Sequence, residues 1–330
     1  MVRAFTVGVD GLALAPDETA FLRDAAPWGV ILFARNIDSP PQVAALCASI
    51  REALGRDAPI MIDQEGGRVQ RMAPPHWRQW LPPLDHVAAS GGSSRAMYLR
   101  GLLIGDELRR VGIDVNCAPT CDVATPDTHP FLRNRCFGDN AQIVTAMARA
   151  LSDGLLDAGV LPVMKHIPGH GRGRVDSHIN LPVSDADHDT LTASDFVPFR
   201  ALADLPMAMT AHMLFSALDA RAATVSPVLI DIIRREIGFD GLLMTDDISM
   251  EALGGSITER ALAALDAGCD LVLHCNGDLP ERRVLAGVVP EFTPKAAGRA
   301  ESALARRRSP AEIDIPSAEA ELAGLMTGLV

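Results

Sequence analysis

Residues 241–250 read GLLMTDDISM, an unbroken apolar run that stops at two carboxylates. A strand with apolar residues at successive positions is buried on both faces, as in a parallel sheet covered by helices. The same kind of run recurs seven more times, at 5–9, 29–33, 59–62, 113–117, 161–164, 207–211 and 271–275. Between the runs lie longer amphipathic stretches with helix punctuation. Ser39-Pro40 and Ser226-Pro227 each set a capping oxygen ahead of a proline suited to the first helical turn. After Ser226, the side chains of Leu229, Ile232, Ile233 and Ile237 keep to one face, and Gly238 supplies a stop. Strands alternating with helices predict an α/β protein with a parallel sheet, and eight strands is the number that closes a (β/α)8 TIM-type barrel. A doubly wound open sheet is the competing arrangement.

Composition narrows the class. The 330 residues are 48% hydrophobic and 22% charged, which excludes a disordered chain. Thirty Lys and Arg against 42 Asp and Glu leave a net charge of −12, the wrong sign for a nucleic-acid partner. The longest stretch lacking Asp, Glu, Lys and Arg is 14 residues, 205–218, too short for a membrane span. Asp10 interrupts the N-terminus too early for a signal-peptide core, so a cytoplasmic location is expected. Six cysteines make no disulfide scaffold, and Cys117-Ala118-Pro119-Thr120-Cys121 has no matching second pair for zinc; all six read as ordinary core thiols. No linker divides the chain. The reading is one barrel domain over 1–282 and a peripheral C-terminal segment over 283–330, in which Arg306-Arg307-Arg308-Ser309-Pro310 is a solvated turn.

In a barrel of this kind the chemistry gathers where strands end, on the C-terminal face. Asp63 ends the third run, Lys165 and His166 the fifth, His212 the sixth, and Asp246-Asp247 the seventh. Charge at the end of a buried strand is costly unless something satisfies it, so several such ends on one mouth point to a polar site. Residues 165–178, KHIPGHGRGRVDSH, are the richest segment. A phosphate-cradling loop, a metal site using His166, His170, Asp176 or His178, and a catalytic loop pairing Asp176 with His178 all compete for it, beside a plain surface loop. Of Asp246 and Asp247, consecutive on a strand, at most one is expected to face the mouth; the other caps a helix or pairs with a base.

Four segments carry a resemblance. DQEGGRVQR at 63–71, KHIPGHG at 165–171, DSH at 176–178 and TDDISM at 245–250 resemble glycoside hydrolase family 3, in order and over about residues 5 to 277. More narrowly they are similar to its single-domain bacterial β-N-acetylglucosaminidases of peptidoglycan recycling. The resemblance implies a cytoplasmic, monomeric β-N-acetylhexosaminidase with no cofactor and no metal. Its substrate would be N-acetylglucosaminyl muropeptides, with neither nucleic acid nor membrane as partner. It further implies Asp246 as nucleophile, a His178/Asp176 acid/base dyad, and Asp63, Arg71, Arg135, Lys165 and His166 as sugar-binding residues. Where such enzymes often read Arg-Ser-Tyr, this chain has Arg135-Cys136-Phe137. The chemistry so implied is that of a retaining glycosidase, with histidine in place of the usual carboxylic acid as proton donor. A phosphorylase of the same fold and a catalytically silent sugar-binding barrel are the alternatives.

Overall fold

The structure is a computed structural model that describes residues 2–175, 180–310, 312 and 314–326. Eight parallel strands close into one barrel. In chain order they are β1 (Arg3–Gly8), β2 (Pro27–Leu32), β3 (Ile60–Ile62), β4 (Val115–Asn116), β5 (Leu161–Ile167), β6 (Met207–Thr210), β7 (Leu242–Asp247) and β8 (Leu271–His274). Each coincides with one of the apolar runs, and β1 pairs with both β2 and β8 to complete the ring.

The unbroken apolar character of the runs follows from two packing layers. Alternate residues, among them Met61, Val163, Met207, Met209, Leu242, Met244, Leu271 and Leu273, fill the barrel interior. Their neighbours Ile60, Ile62, Met164, Ala208, Leu243 and Val272 pack outward against the helices. Inward residues thus share a parity, which carries Asp63, Lys165 and Asp246 to the top of the interior. Two register shifts near the C-terminal ends of strands modify it. Lys165 pairs with Met209 while Ile167 pairs with Thr210, so His166 is an extra residue in β5. Likewise Met244 opposes Leu271 and Asp247 opposes Leu273. Bulges of this kind re-aim side chains next to sites.

The outer layer is tight where the helices Ser94–Arg110 and Ala141–Asp157 cross. A Cβ on Gly101 would lie 2.3 Å from the Leu151 carbonyl oxygen, so backbone approaches backbone there. Ser226 caps its helix by accepting from the Leu229 amide, as expected, but Ser39 makes no side-chain cap bond. Arg306 and Arg308 are exposed, as in a solvated turn, but Arg307 is half-buried and the segment is tied down by ion pairs. Arg307 reaches Asp114 at 2.5 Å and Asp57 at 3.2 Å, and Arg308 reaches Asp157 at 2.8 Å, fastening the segment to the barrel's N-terminal end. Helix Leu279–Val288 runs across residue 282, and helices Pro294–Ala305 and Ile315–Leu325 follow it. Among the described residues no helix is long and apolar enough to cross a membrane. All six cysteines are buried and unpaired, and burial pushes the Cys117 and Cys121 thiols up, away from the thiolate that zinc needs.

Candidate active site

A cavity of about 270 Å³ opens at the C-terminal end of the barrel. It falls at the small end of ligand pockets, which run to roughly 300–1,000 Å³. Met209, Leu273 and Cys275 from the interior layer lie against it, and Asp63, Arg71, Arg135, Lys165, His166, His170 and Asp246 line it.

The polar wall is a buried cage. The Lys165 ammonium donates to Asp63 Oδ1 at 2.9 Å and lies 2.6 Å from Glu65 Oε1. Arg135 grips Glu65 with two parallel bonds of 2.9 and 2.8 Å, and Arg71 donates to Asp63 Oδ2 at 3.2 Å. Burial would raise the Asp63 carboxyl, but Lys165 and Arg71 hold it well below the usual carboxylate range. Burial acts likewise on Glu65, and Arg135 and Lys165 bring it down to about 2. Lys165 mirrors them: burial lowers it, and the two carboxylates push it above the ordinary lysine value. Asp63, Glu65 and Lys165 therefore stay charged at neutral pH, as fixed donors and acceptors for hydroxyls.

Next to the cage, His166 Nδ1 lies 2.7 Å from Asp122 Oδ2, and the His170 amide donates to Asp122 Oδ1 at 2.7 Å. The His166 Nε2 that this leaves over sits 3.5 Å from Arg135. Neither ring nitrogen of His170 has a partner among the described residues. Burial, then the neighbouring His166, lowers His170 to about 4, so it is neutral. Ligand atoms of Asp122, His166 and His170 lie within 4.8 Å of one another, the one such group among the described residues that could hold a metal ion. Both Asp122 oxygens are already engaged by the two histidines.

The seventh strand end separates its two acids. Asp246 is half-buried in the cavity, and its one hydrogen bond among the described residues comes from the Asp247 amide at 2.8 Å. Burial would raise its carboxyl; His212, His166, that amide and Lys165 outweigh it and hold Asp246 below its ordinary value. Asp247 also borders the cavity, yet its carboxylate accepts from the Ser249 amide and hydroxyl, the Cys275 amide and Asn276. It ties β7 to the end of β8 instead of capping a helix or pairing with a base. His212 is a connector, bonded to Thr224 and to the Asp247 carbonyl.

Asp176 and His178 lie outside the described residues. Cys136 and Phe137 are buried and do not line the cavity. Sequence reasoning missed Glu65 and Asp122 as the groups that orient the cavity-facing side chains Arg135, Lys165 and His166. Glu65 stood inside a quoted motif. Asp122 was hidden because the chain past β4 runs on irregularly beside β5, with the Cys121 amide donating to the Lys165 carbonyl at 2.6 Å.

Comparison with known proteins bears on this geometry. Residues 6–298 match the family described as Glycosyl hydrolase family 3 N terminal domain. A beta-hexosaminidase of Methylococcus capsulatus is 42% identical over 274 residues, covering 81% of this chain and 80% of that protein. One from Chromobacterium violaceum is 37% identical over 313 residues, covering 92% and 87%. NagZ from Neisseria gonorrhoeae, solved in complex with N-trifluoroacetyl-D-glucosamine, superposes with a TM-score of 0.87 at 31% identity, covering 99% of this chain and 98% of that one. A family 3 beta-N-acetylglucosaminidase from Paenibacillus sp. str. FPU-7 gives 0.87 at 28% identity, covering 98% and 66%. A closed barrel, a charged mouth on its C-terminal face and relatives matched over most of their length lead to one assignment: the chain belongs to glycoside hydrolase family 3.

Proposed function

We propose that this family 3 enzyme is a retaining β-N-acetylhexosaminidase that removes non-reducing terminal N-acetylglucosamine from peptidoglycan-derived muropeptides in the cytoplasm. The observation that carries the reading is Asp246: an ionised carboxylate with, among the described residues, a single backbone donor, facing the same small cavity as a charged cage of groups able to bind hydroxyls. Relatives named beta-hexosaminidase supply the sugar class.

In this mechanism Asp63, Arg71, Arg135, Lys165 and His166 hold the hydroxyls and acetamido group of one sugar. Buried polar groups discriminate well here, because a missing hydroxyl leaves a charged partner unsatisfied. Asp246 attacks the anomeric carbon as His178 protonates the departing oxygen, and a glycosyl ester forms on Asp246. Water then displaces the ester while His178 takes its proton, and Asp176 supports the imidazolium.

The test is leaving-group dependence. Leaving as an alkoxide from a disaccharide requires protonation, whereas p-nitrophenolate departs almost unaided. His178→Ala is expected to lower kcat/KM on a natural disaccharide about 10²- to 10⁴-fold more than on p-nitrophenyl N-acetylglucosaminide. Equal losses on the two substrates would remove His178 from the acid/base role.

A further inference from the structure

The cavity holds one cation that the sugar-binding scheme leaves without work. Lys165, Arg71 and Arg135 all face carboxylates. Arg68 also lines the cavity, but it is exposed at the rim, and among the described residues it has no carboxylate partner and no hydrogen bond. Its one described contact is aromatic: the guanidinium lies 3.8 Å above the centre of the Phe131 ring. A guanidinium stacked by its face keeps its edge donors free, in the fork geometry that matches an oxyanion.

The backbone fixes this group in place. Arg68 stands at the tip of a ribbon made by Gln64–Gly66 and Val69–Gln70. The fully buried Arg100 donates to the carbonyls of Glu65 at 2.6 Å and Leu81 at 2.7 Å, and the Gly67 amide donates to the Trp80 carbonyl at 2.9 Å. Gly66 has φ of +107°, and a Cβ there would lie 2.1 Å from Arg100 Nη2, so the turn is pinned against the segment beneath it. The cation at its tip is therefore preorganised, unlike an arginine on a swinging loop.

Its position defines what it meets. If one terminal sugar fills the cage at the cavity floor, the rim faces the group attached to that sugar's anomeric carbon. We propose that Arg68 receives an oxyanion carried by the leaving group, a carboxylate on the departing sugar or its substituent. This rests on the reading under Proposed function and adds to it a basis for aglycone choice. An acidic substrate approaching a chain of net charge −12 gains a local countercharge there.

The full chain would be assayed on N-acetylglucosaminyl-β-1,4-N-acetylmuramic acid and on the methyl ester of the same disaccharide. The readout is the ratio of kcat/KM for acid over ester, in which the fraction of correctly folded enzyme cancels. Arg68→Gln is expected to lower that ratio about 10- to 100-fold, as for loss of a charged hydrogen-bonded pair. Arg68→Lys should retain part of it, as a point charge without the fork. An unchanged ratio in Arg68→Gln overturns the proposal. So does phosphate consumption, with sugar 1-phosphate as product, that disappears in Arg68→Gln, because the oxyanion would then be the acceptor. Wild-type turnover of p-nitrophenyl N-acetylglucosaminide keeps the two readings apart. Activity there with an unchanged ratio rejects Arg68 alone, whereas inactivity on every substrate rejects the hexosaminidase reading with it.

Discussion

The two ends of the barrel use the same chemistry to opposite effect. At the N-terminal end, Asp270 binds Arg234 at 2.6 Å and Arg299 at 3.0 Å while accepting the Leu243 amide at 3.0 Å. Asp114 does the same with Arg307 and the Ile60 amide, at 2.5 and 2.7 Å. Each of these carboxylates joins a strand start to an arginine from the surrounding layer. At the C-terminal end, Asp63, Glu65, Lys165 and Arg135 form an equally dense network, but Asp63, Lys165 and Arg135 also face an open cavity. Ion pairing by itself therefore says nothing about function. What separates the ends is whether a paired group still has a direction in which it can bond to something else.

Three substitutions would break or sharpen that contrast. The largest effect is expected at the C-terminal end with Asp246→Asn, which keeps shape and removes the proposed nucleophile. Turnover should fall by about 10³-fold or more in a protein whose denaturation midpoint is unchanged. Should Asp247→Asn prove more damaging in folded enzyme, the assignment within the pair is reversed. Next comes Asp63→Ala, which removes a carboxylate shared between Lys165, Arg71 and the proposed sugar. Here kcat/KM on p-nitrophenyl N-acetylglucosaminide should drop roughly 10- to 10³-fold, in line with one or two charged hydrogen bonds; wild-type kinetics would return Asp63 to a purely structural role. The smallest effect on catalysis belongs to Asp270→Ala. It leaves two arginines without their shared partner, and should cost about 3 kcal/mol in urea denaturation. Steady-state constants per folded molecule should not move. A kinetic defect there would show that the two ends are coupled through the strands.

The barrel was legible because its interior and outer layers are both apolar, so each strand announced itself as an unbroken run and its end as a sudden charge. Asp63, Lys165 and Asp246 stood out for that reason, each the next inward residue after Met61, Val163 and Met244. His166 stood out as well, but the reason it joins them was not visible: alternation alone turns it outward, and only the extra residue in β5 brings it round. Partners were harder still. Glu65 meets Arg135 across 70 positions, and Asp114 meets Arg307 across 193. No local pattern records such pairings, so a charged tail that clamps the barrel reads in sequence like any solvated turn. Arg68 shows the reverse: its motif was plain, and its lack of a carboxylate partner among the described residues became apparent only once the cavity's other cations had found theirs.

The extra residue in β5 also sets how freely this enzyme can be rebuilt. Below it, the strand is a two-beat rhythm in which inserting or deleting one residue turns every later side chain around. The shift is completed when Ile167 pairs with Thr210 and returns an apolar side chain to the outer layer. Everything after that point starts from a beat already fixed. Loops of other lengths can therefore be transplanted beyond Gly171, past the His170 amide that holds Asp122, without rotating Lys165 or His166 away from the cavity, whereas a single-residue deletion between 161 and 166 would throw both out of step.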